Sequence, residues 1–233
     1  MTERRRLGPG SRDRASSERG QPASPPAGGR PPERGLGPAA LPGVQFGAIV
    51  RHADRRGSFR ELWRASHWPA LDPSLGGAPG TGFVQANLST SAPGVLRGLH
   101  LHRRQLDYWI VAAGRAFVAL VDVRPLLDGS GPRALVETRE LAADETVVIP
   151  AGVAHGFLAL EPLELVYLVT NEYDGSDELG FAWDDPVVGV PWPRLGATPD
   201  GRPILSERDL ANPTLAELVA QLRDGTEGTP PKP

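Results

Sequence analysis

A chain of 233 residues that is 39% hydrophobic carries enough apolar side chain for one core of ordinary size, and two full domains would be a squeeze. The absence of cysteine excludes disulfide frameworks, thiolate metal sites and cysteine nucleophiles. The net charge of −3 is unevenly spread, because residues 1–40 hold eight arginines against four acidic side chains; the remainder is acidic and makes a poor nucleic-acid surface.

In chain order, residues 1–42 are Arg, Pro, Gly and Ser with almost no large apolar side chain, and a disordered basic tail is expected there. A single domain is expected over 43–224, and a second unstructured tail over 225–233. No apolar run approaches the ~20 residues of a membrane span, and no apolar signal core follows Arg4-Arg5-Arg6, so a cytoplasmic protein without a membrane partner is expected. Short runs rich in β-branched and aromatic residues predict strands at 83–90, 107–112, 116–123, 146–149, 163–170 and 179–183. Turn residues separate them at Ala113-Gly114, Asp128-Gly129-Ser130-Gly131, Pro150-Ala151-Gly152 and Asp174-Gly175-Ser176, a spacing that suits a sandwich or small barrel rather than βα units. The run 116–123 is apolar on both alternating faces, which predicts a central strand covered on each side. Near the end, Leu215, Leu218, Val219 and Leu222 repeat at helical spacing behind Asn212-Pro213-Thr214, which offers a cap and a first-turn proline.

Chemistry concentrates in the histidines. Of five, His100 and His102 lie in Arg97-Gly98-Leu99-His100-Leu101-His102 and His155 lies in Ala151-Gly152-Val153-Ala154-His155-Gly156-Phe157, stretches that read as strand termini. Residues two apart on a strand point the same way, so His100 and His102 can share one cavity with His155. His52 and His67 read as ordinary structural hydrogen-bonders.

From Asp54 to Asp209 the chain resembles the dTDP-4-dehydrorhamnose 3,5-epimerase family. The resemblance is carried by Arg56-Gly57-Ser58-Phe59-Arg60-Glu61, Gln85-Ala86-Asn87-Leu88-Ser89, Gly94-Val95-Leu96-Arg97-Gly98-Leu99-His100 and Ile149 through Phe157. It continues in order through Tyr167, Tyr173, Glu178, Trp183-Asp184-Asp185-Pro186, Pro191-Trp192-Pro193 and Leu205-Ser206-Glu207-Arg208-Asp209. What it implies is an all-β fold, a cupin-type double-stranded β-helix (jelly-roll) barrel with a short C-terminal helix, working as a homodimer without a cofactor. The implied reaction is epimerisation of a dTDP-linked 4-keto-6-deoxyhexose at C3, C5 or both. The ketone acidifies its neighbouring C–H bonds, so a base on one face can form an enolate that is reprotonated from the other. The resemblance makes His100 the base, Asp209 the carboxylate that fixes its tautomer, and Tyr167 the opposing proton donor, a phenol that stays protonated at neutral pH. It further implies Arg56, Glu61, Gln85, Asn87, Arg97, His155 and Glu178 around the nucleotide sugar and Tyr173 stacked on the thymine, with Arg56 and Glu61 serving the neighbouring subunit.

At one position the chain departs from the family pattern, which has a lysine where Asp107 stands. An anion beside a forming oxyanion should raise the barrier, unless Arg103 or Arg104 supplies the charge. The same stretch also resembles the metal-binding cupin motif. Gly94 and five intervening residues lead to His100 and His102, four more to Asp107 and six more to Gly114, with His155 as a third histidine. A metal set of His100, His102, Asp107 and His155 would suit Fe, Mn, Ni or Zn in an isomerase or dioxygenase. A sugar-nucleotide-binding protein without turnover is the third reading that Asp107 keeps open.

Overall fold

The computed structural model describes residues 38–67, 82–194 and 201–225. In chain order its strands are β1 (Gln45–Ala48), β2 (Arg51–Asp54), β3 (Gly57–Arg60), β4 (Gln85–Ser91), β5 (Leu96–Leu101), β6 (Asp107–Ala113), β7 (Arg115–Asp122), β8 (Leu135–Ala142), β9 (Glu145–Ile149), β10 (Val153–Ala159), β11 (Leu163–Val169) and β12 (Leu179–Gly180). The helices are α1 (Arg124–Leu127), α2 (Glu207–Leu210) and α3 (Leu215–Arg223). Two five-stranded sheets, ordered β1-β9-β6-β11-β4 and β12-β5-β10-β7-β8, form an antiparallel jelly-roll sandwich, and β2 and β3 make a separate hairpin.

Alternation along the strands divides the apolar side chains among three clusters. Phe46, Trp109, Val111, Val118, Leu120, Val147, Leu163 and Leu165 fill the space between the sheets. On the outer face of the second sheet, Leu99, Leu101, Ala119 and Val121 meet Phe181 and the buried stripe of α3, Leu215, Leu218 and Val219. Ile49, Tyr108, Ile110, Val148 and Leu168 form a third cluster, against which Leu62 and Phe83 pack. Each buried α3 side chain contributes ~1.5–3 kcal/mol by leaving water. This arrangement accounts for the run 116–123: β7 lies between β10 and β8, facing the sandwich interior on one side and α3 on the other.

Several expectations need correction. The strand expected at 179–183 is the two-residue β12. The strands β1, β2, β3 and β8 are not among those expected, and β5 and β10 are expected only as strand ends around the histidines. β8 is an edge strand whose Glu137, Arg139 and Glu140 mask its period, and β10 carries Gly156 and His155 in a fully buried run. His100 and His102 lie at and just past the C-terminal end of β5, as expected of a strand terminus, whereas His155 lies within β10. Pro213 precedes the cap instead of occupying the first turn; Thr214 caps α3 and forms a capping box with Glu217. Packing starts ahead of residue 43, since Leu41 is buried and the backbone N–H groups of Ala40 and Leu41 donate to Glu137. The rest of the two expected tails, 1–37 and 226–233, lies outside the described residues.

Candidate active site

The site is built on a defect in β5. His155 on β10 pairs with His100, but Phe157, two residues on, pairs with Arg97, three residues back. The extra residue is a bulge at Gly98, whose φ is 127°. A Cβ there would lie 2.6 Å from the Gly156 Cα and 2.8 Å from the His155 carbonyl oxygen, so only glycine fits. The bulge shifts the alternation by one, and Arg97, His100 and His102 all reach the cavity of about 520 Å³ between the sheets.

Asp209, far along the chain, reaches His100 through a short parallel bridge. Ile204 pairs with Val95 at the start of β5, after which Ser206 caps α2 by accepting the Asp209 N–H. The buried Asp209 carboxylate then lies 2.8 Å from His100 Nε2. Burial pushes this carboxyl up, but hydrogen bonds from His100, Ser206 and the Gly98 N–H outweigh it and hold it below the ordinary range. An ionised carboxylate only accepts, so Nε2 carries the proton and Nδ1 keeps its lone pair.

Tyr167 comes from β11, in the opposite sheet, and lines the same cavity. Burial, and then the charge of Asp107, push its phenol up, so the group is protonated at neutral pH. Gln85 and Asn87 project from β4, with Gln85 Nε2 donating to Asn87 Oδ1 at 2.9 Å and Gln85 Oε1 accepting from the Tyr173 N–H. Tyr173 is 66% exposed at the cavity edge, and the neighbouring charge of Glu178 pushes its phenol up. Glu178 accepts from Arg208 at 2.8 Å through one oxygen, while its other oxygen is buried without a hydrogen bond, as is Ser89 Oγ. Arg97 is tied back by Nε to Ser91 Oγ at 3.2 Å.

His102, Asp107 and His155 form a second cluster on the cavity wall. A ring nitrogen of each histidine and a carboxylate oxygen all lie within 4.8 Å of one another, as they must to share a metal ion. His100, whose Nε2 lies against Asp209, is not in this group, and the expected four-residue metal set shrinks to three. Burial first, opposed by the Asp107 charge, lowers His155 to about 4, leaving a neutral imidazole. Asp107 is held by Gln105 Nε2 at 2.8 Å and Trp109 Nε1 at 3.1 Å.

Arg103 and Arg104 do not supply the charge missing at position 107. Their backbone N–H groups donate to the Asp177 carboxylate, their Nε atoms lie 3.9 Å from it, and neither lines the cavity. Arg56 and Glu61 also stand apart. Arg56 lies in the turn of the exposed β2–β3 hairpin and pairs with Asp54, and Glu61, just after β3, pairs with Arg64. The reading from sequence assigned no part to Gln105, Trp109, Ser206 or Arg208, which line the cavity. Only the run Leu205 to Asp209 could have flagged the last two, and it names no role by residue type.

Comparison with known proteins agrees with this architecture. The family model for dTDP-4-dehydrorhamnose 3,5-epimerase matches residues 38–217. The spore coat polysaccharide biosynthesis protein SpsL of Bacillus subtilis is 34% identical over 158 residues, 65% of this chain and 96% of its own. Among solved structures, the rmlC epimerase of Mycobacterium tuberculosis superposes with a TM-score of 0.66 at 30% identity, covering 82% of this chain and 91% of that one. ChmJ, a 3'-monoepimerase from Streptomyces bikiniensis in complex with dTDP-quinovose, gives 0.65 at 30% identity over 82% and 92%. The family match begins before β1 and ends inside α3, leaving no part of the described barrel outside it: the chain belongs to the dTDP-4-dehydrorhamnose 3,5-epimerase family.

Proposed function

We propose that the protein epimerises a dTDP-linked 4-keto-6-deoxyhexose at C3, C5 or both. The observation that carries this reading is the pairing of a carboxylate-held imidazole on one sheet with a protonated phenol on the facing sheet, across one cavity. His100 Nδ1 takes the proton from a carbon next to the ketone; the C–H electron pair becomes the C=C bond and the carbonyl π pair moves to oxygen. Tyr167 then delivers its proton to the other face of that carbon, the pair returns from oxygen, and the configuration inverts. Each of these groups typically contributes ~10²–10⁴-fold. Asp209 orients the ring and stabilises the imidazolium.

Substrate is held by Arg97, Gln85, Asn87, His155 and Glu178, with Tyr173 stacked on the thymine. In support, the unpaired oxygens of Glu178 and Ser89 need donors such as sugar hydroxyls, and the Tyr173 ring is exposed. The protein works as a homodimer in the cytoplasm. Its exposed hairpin, with Phe59 at 68% exposure beside Arg56, suits a surface covered by a second copy; sedimentation should give the mass of two chains. No helix among the described residues is long and apolar enough to cross a membrane. The deciding experiment is proton NMR of dTDP-4-keto-6-deoxyglucose in D₂O with the purified protein. Loss of the C3 or C5 signal identifies the carbon attacked; retention of both signals overturns the reading.

A further inference from the structure

We propose that His102, Asp107 and His155 bind a divalent first-row transition ion on the cavity wall, with its remaining coordination positions open to the substrate. Three features of the cluster support this. His102 Nδ1 donates to the Asp177 carbonyl oxygen at 2.7 Å, and His155 Nδ1 lies 3.3 Å from the Val153 carbonyl oxygen. A carbonyl oxygen only accepts, so both rings carry their proton on Nδ1 and present the Nε2 lone pair. Anchoring one ring nitrogen on a carbonyl is how proteins orient a metal-binding imidazole. Next, no hydrogen bond engages either Nε2 among the described residues. His155 Nε2 lies 3.7 Å from Asp107 Oδ2, too far for a hydrogen bond and close to the ~3.4 Å between ligand atoms of a tetrahedral ion with ~2.1 Å bonds. Finally, Asp107 is buried and receives one neutral N–H on each oxygen, from Gln105 and Trp109, which aim the carboxylate without neutralising it.

Three electron-pair donors therefore converge on a space with no proton between them, and a cation is what such a space accommodates. Two imidazoles and one carboxylate favour zinc, iron, cobalt or nickel over magnesium or calcium, which prefer oxygen ligands. Three protein ligands also leave a position for a ligand from the cavity, as open metal sites do. Metal binding stands without the epimerase reading. The ion's role rests on that reading: held by His102, Asp107 and His155 beside His100 and Tyr167, it would offer a positive charge to the substrate's carbonyl oxygen, so that His155 would hold the substrate through the ion rather than by its own Nε2. This removes the conflict between a buried carboxylate and a forming oxyanion.

The test uses the full chain, stripped with EDTA, dialysed and titrated with Zn²⁺ by calorimetry and with Co²⁺ by visible absorption. The expected result is one ion per chain with Co²⁺ d–d bands. Asp107→Asn and His102→Gln should each weaken binding at least tenfold while retaining the wild-type circular dichroism. Trp109→Phe, which removes the N–H that aims Asp107, should weaken it ~10–100-fold. No binding by the wild-type chain, or equal binding by Asp107→Asn and His102→Gln, overturns the site. Deuterium exchange into dTDP-4-keto-6-deoxyglucose is then compared between stripped and Zn²⁺-loaded protein. Faster exchange with the ion supports its role, and equal rates overturn that role. Binding of the ion with no exchange in either form supports the site and refutes the epimerase reading instead.

Discussion

Replacing Asp209 with Asn keeps the size and one acceptor oxygen of the side chain, so Gly98 and Ser206 retain a partner, but removes the charge behind His100. When His100 takes a proton, the imidazolium and the carboxylate become an ion pair with its contact atoms 2.8 Å apart. With charge centres ~4 Å apart and an effective dielectric of ~20, their attraction is about 4 kcal/mol. At 1.36 kcal/mol per decade, its loss slows proton abstraction about 10³-fold. Asp209 is only 4% exposed, so salt screens the pair weakly and the effect should persist at high ionic strength. The amide adds a second handicap: its N–H can donate to Nε2, which moves the ring proton to Nδ1 and occupies the basic nitrogen. The assay is the rate of deuterium incorporation next to the ketone under single-turnover conditions, with circular dichroism as a control for folding. A folded Asp209→Asn protein exchanging within about tenfold of wild type would refute the assignment of His100 as a carboxylate-held base.

Tyr167→Phe removes the opposing proton donor but leaves the base, so the enolate is quenched by the deuteron that His100 picks up from solvent. The expected outcome is deuterium incorporation with retained configuration and epimer formation reduced ~10²–10⁴-fold, seen by NMR of the recovered sugar. Gly98→Ala combines a left-handed φ of 127° with a Cβ 2.6 Å from backbone; it should cost about 3 kcal/mol in denaturant unfolding and abolish exchange. Asp144 accepts from Arg51 at 2.7 Å and Arg60 at 2.8 Å and so pins the β2–β3 hairpin to the barrel. Burial raises its carboxyl, but the two arginine hydrogen bonds prevail and hold it below 3.8. The contact is therefore complete above pH 3.8 and lost as pH falls through the depressed value. Amide exchange at 51–60 should stay slow down to about pH 4 and accelerate below it, whereas Asp144→Asn should be fast throughout.

The strands that sequence reveals are those with dense β-branched and aromatic runs, such as β6, β7 and β11, because most of their side chains are buried. β8 stays hidden because an edge strand is allowed charges where an inner one is not. The convergence of His100, His102 and His155 was legible from strand alternation, although the reason it works at Arg97 is a bulge, which no period-two pattern announces. Asp209 was named through resemblance alone; nothing local to a four-residue helix points at a histidine on β5. Asp107 reads from sequence both as a cation lost and as a metal ligand beside His100, His102 and His155; the coordinates keep only His102 and His155 in that group. Arg56 and Glu61 lie outside the cavity of a single chain, and residue type carries no information on whose site a surface side chain serves.

The proposed base and proton donor, His100 and Tyr167, hang from different sheets, so no loop sets the distance between them. Stacked sheets keep a spacing of ~10 Å through the side chains that fill the gap. Here Trp109, Phe157 and Leu165 serve both as that filling and as cavity wall. On the proposed mechanism, stereochemical fidelity is thus a property of core packing. A truncation such as Leu165→Ala, outside the proton relay, lets the sheets shift by tenths of an ångström; the imidazole can then recapture its own proton before the phenol delivers one, so the product ratio registers loosening of the sandwich while the barrel still folds.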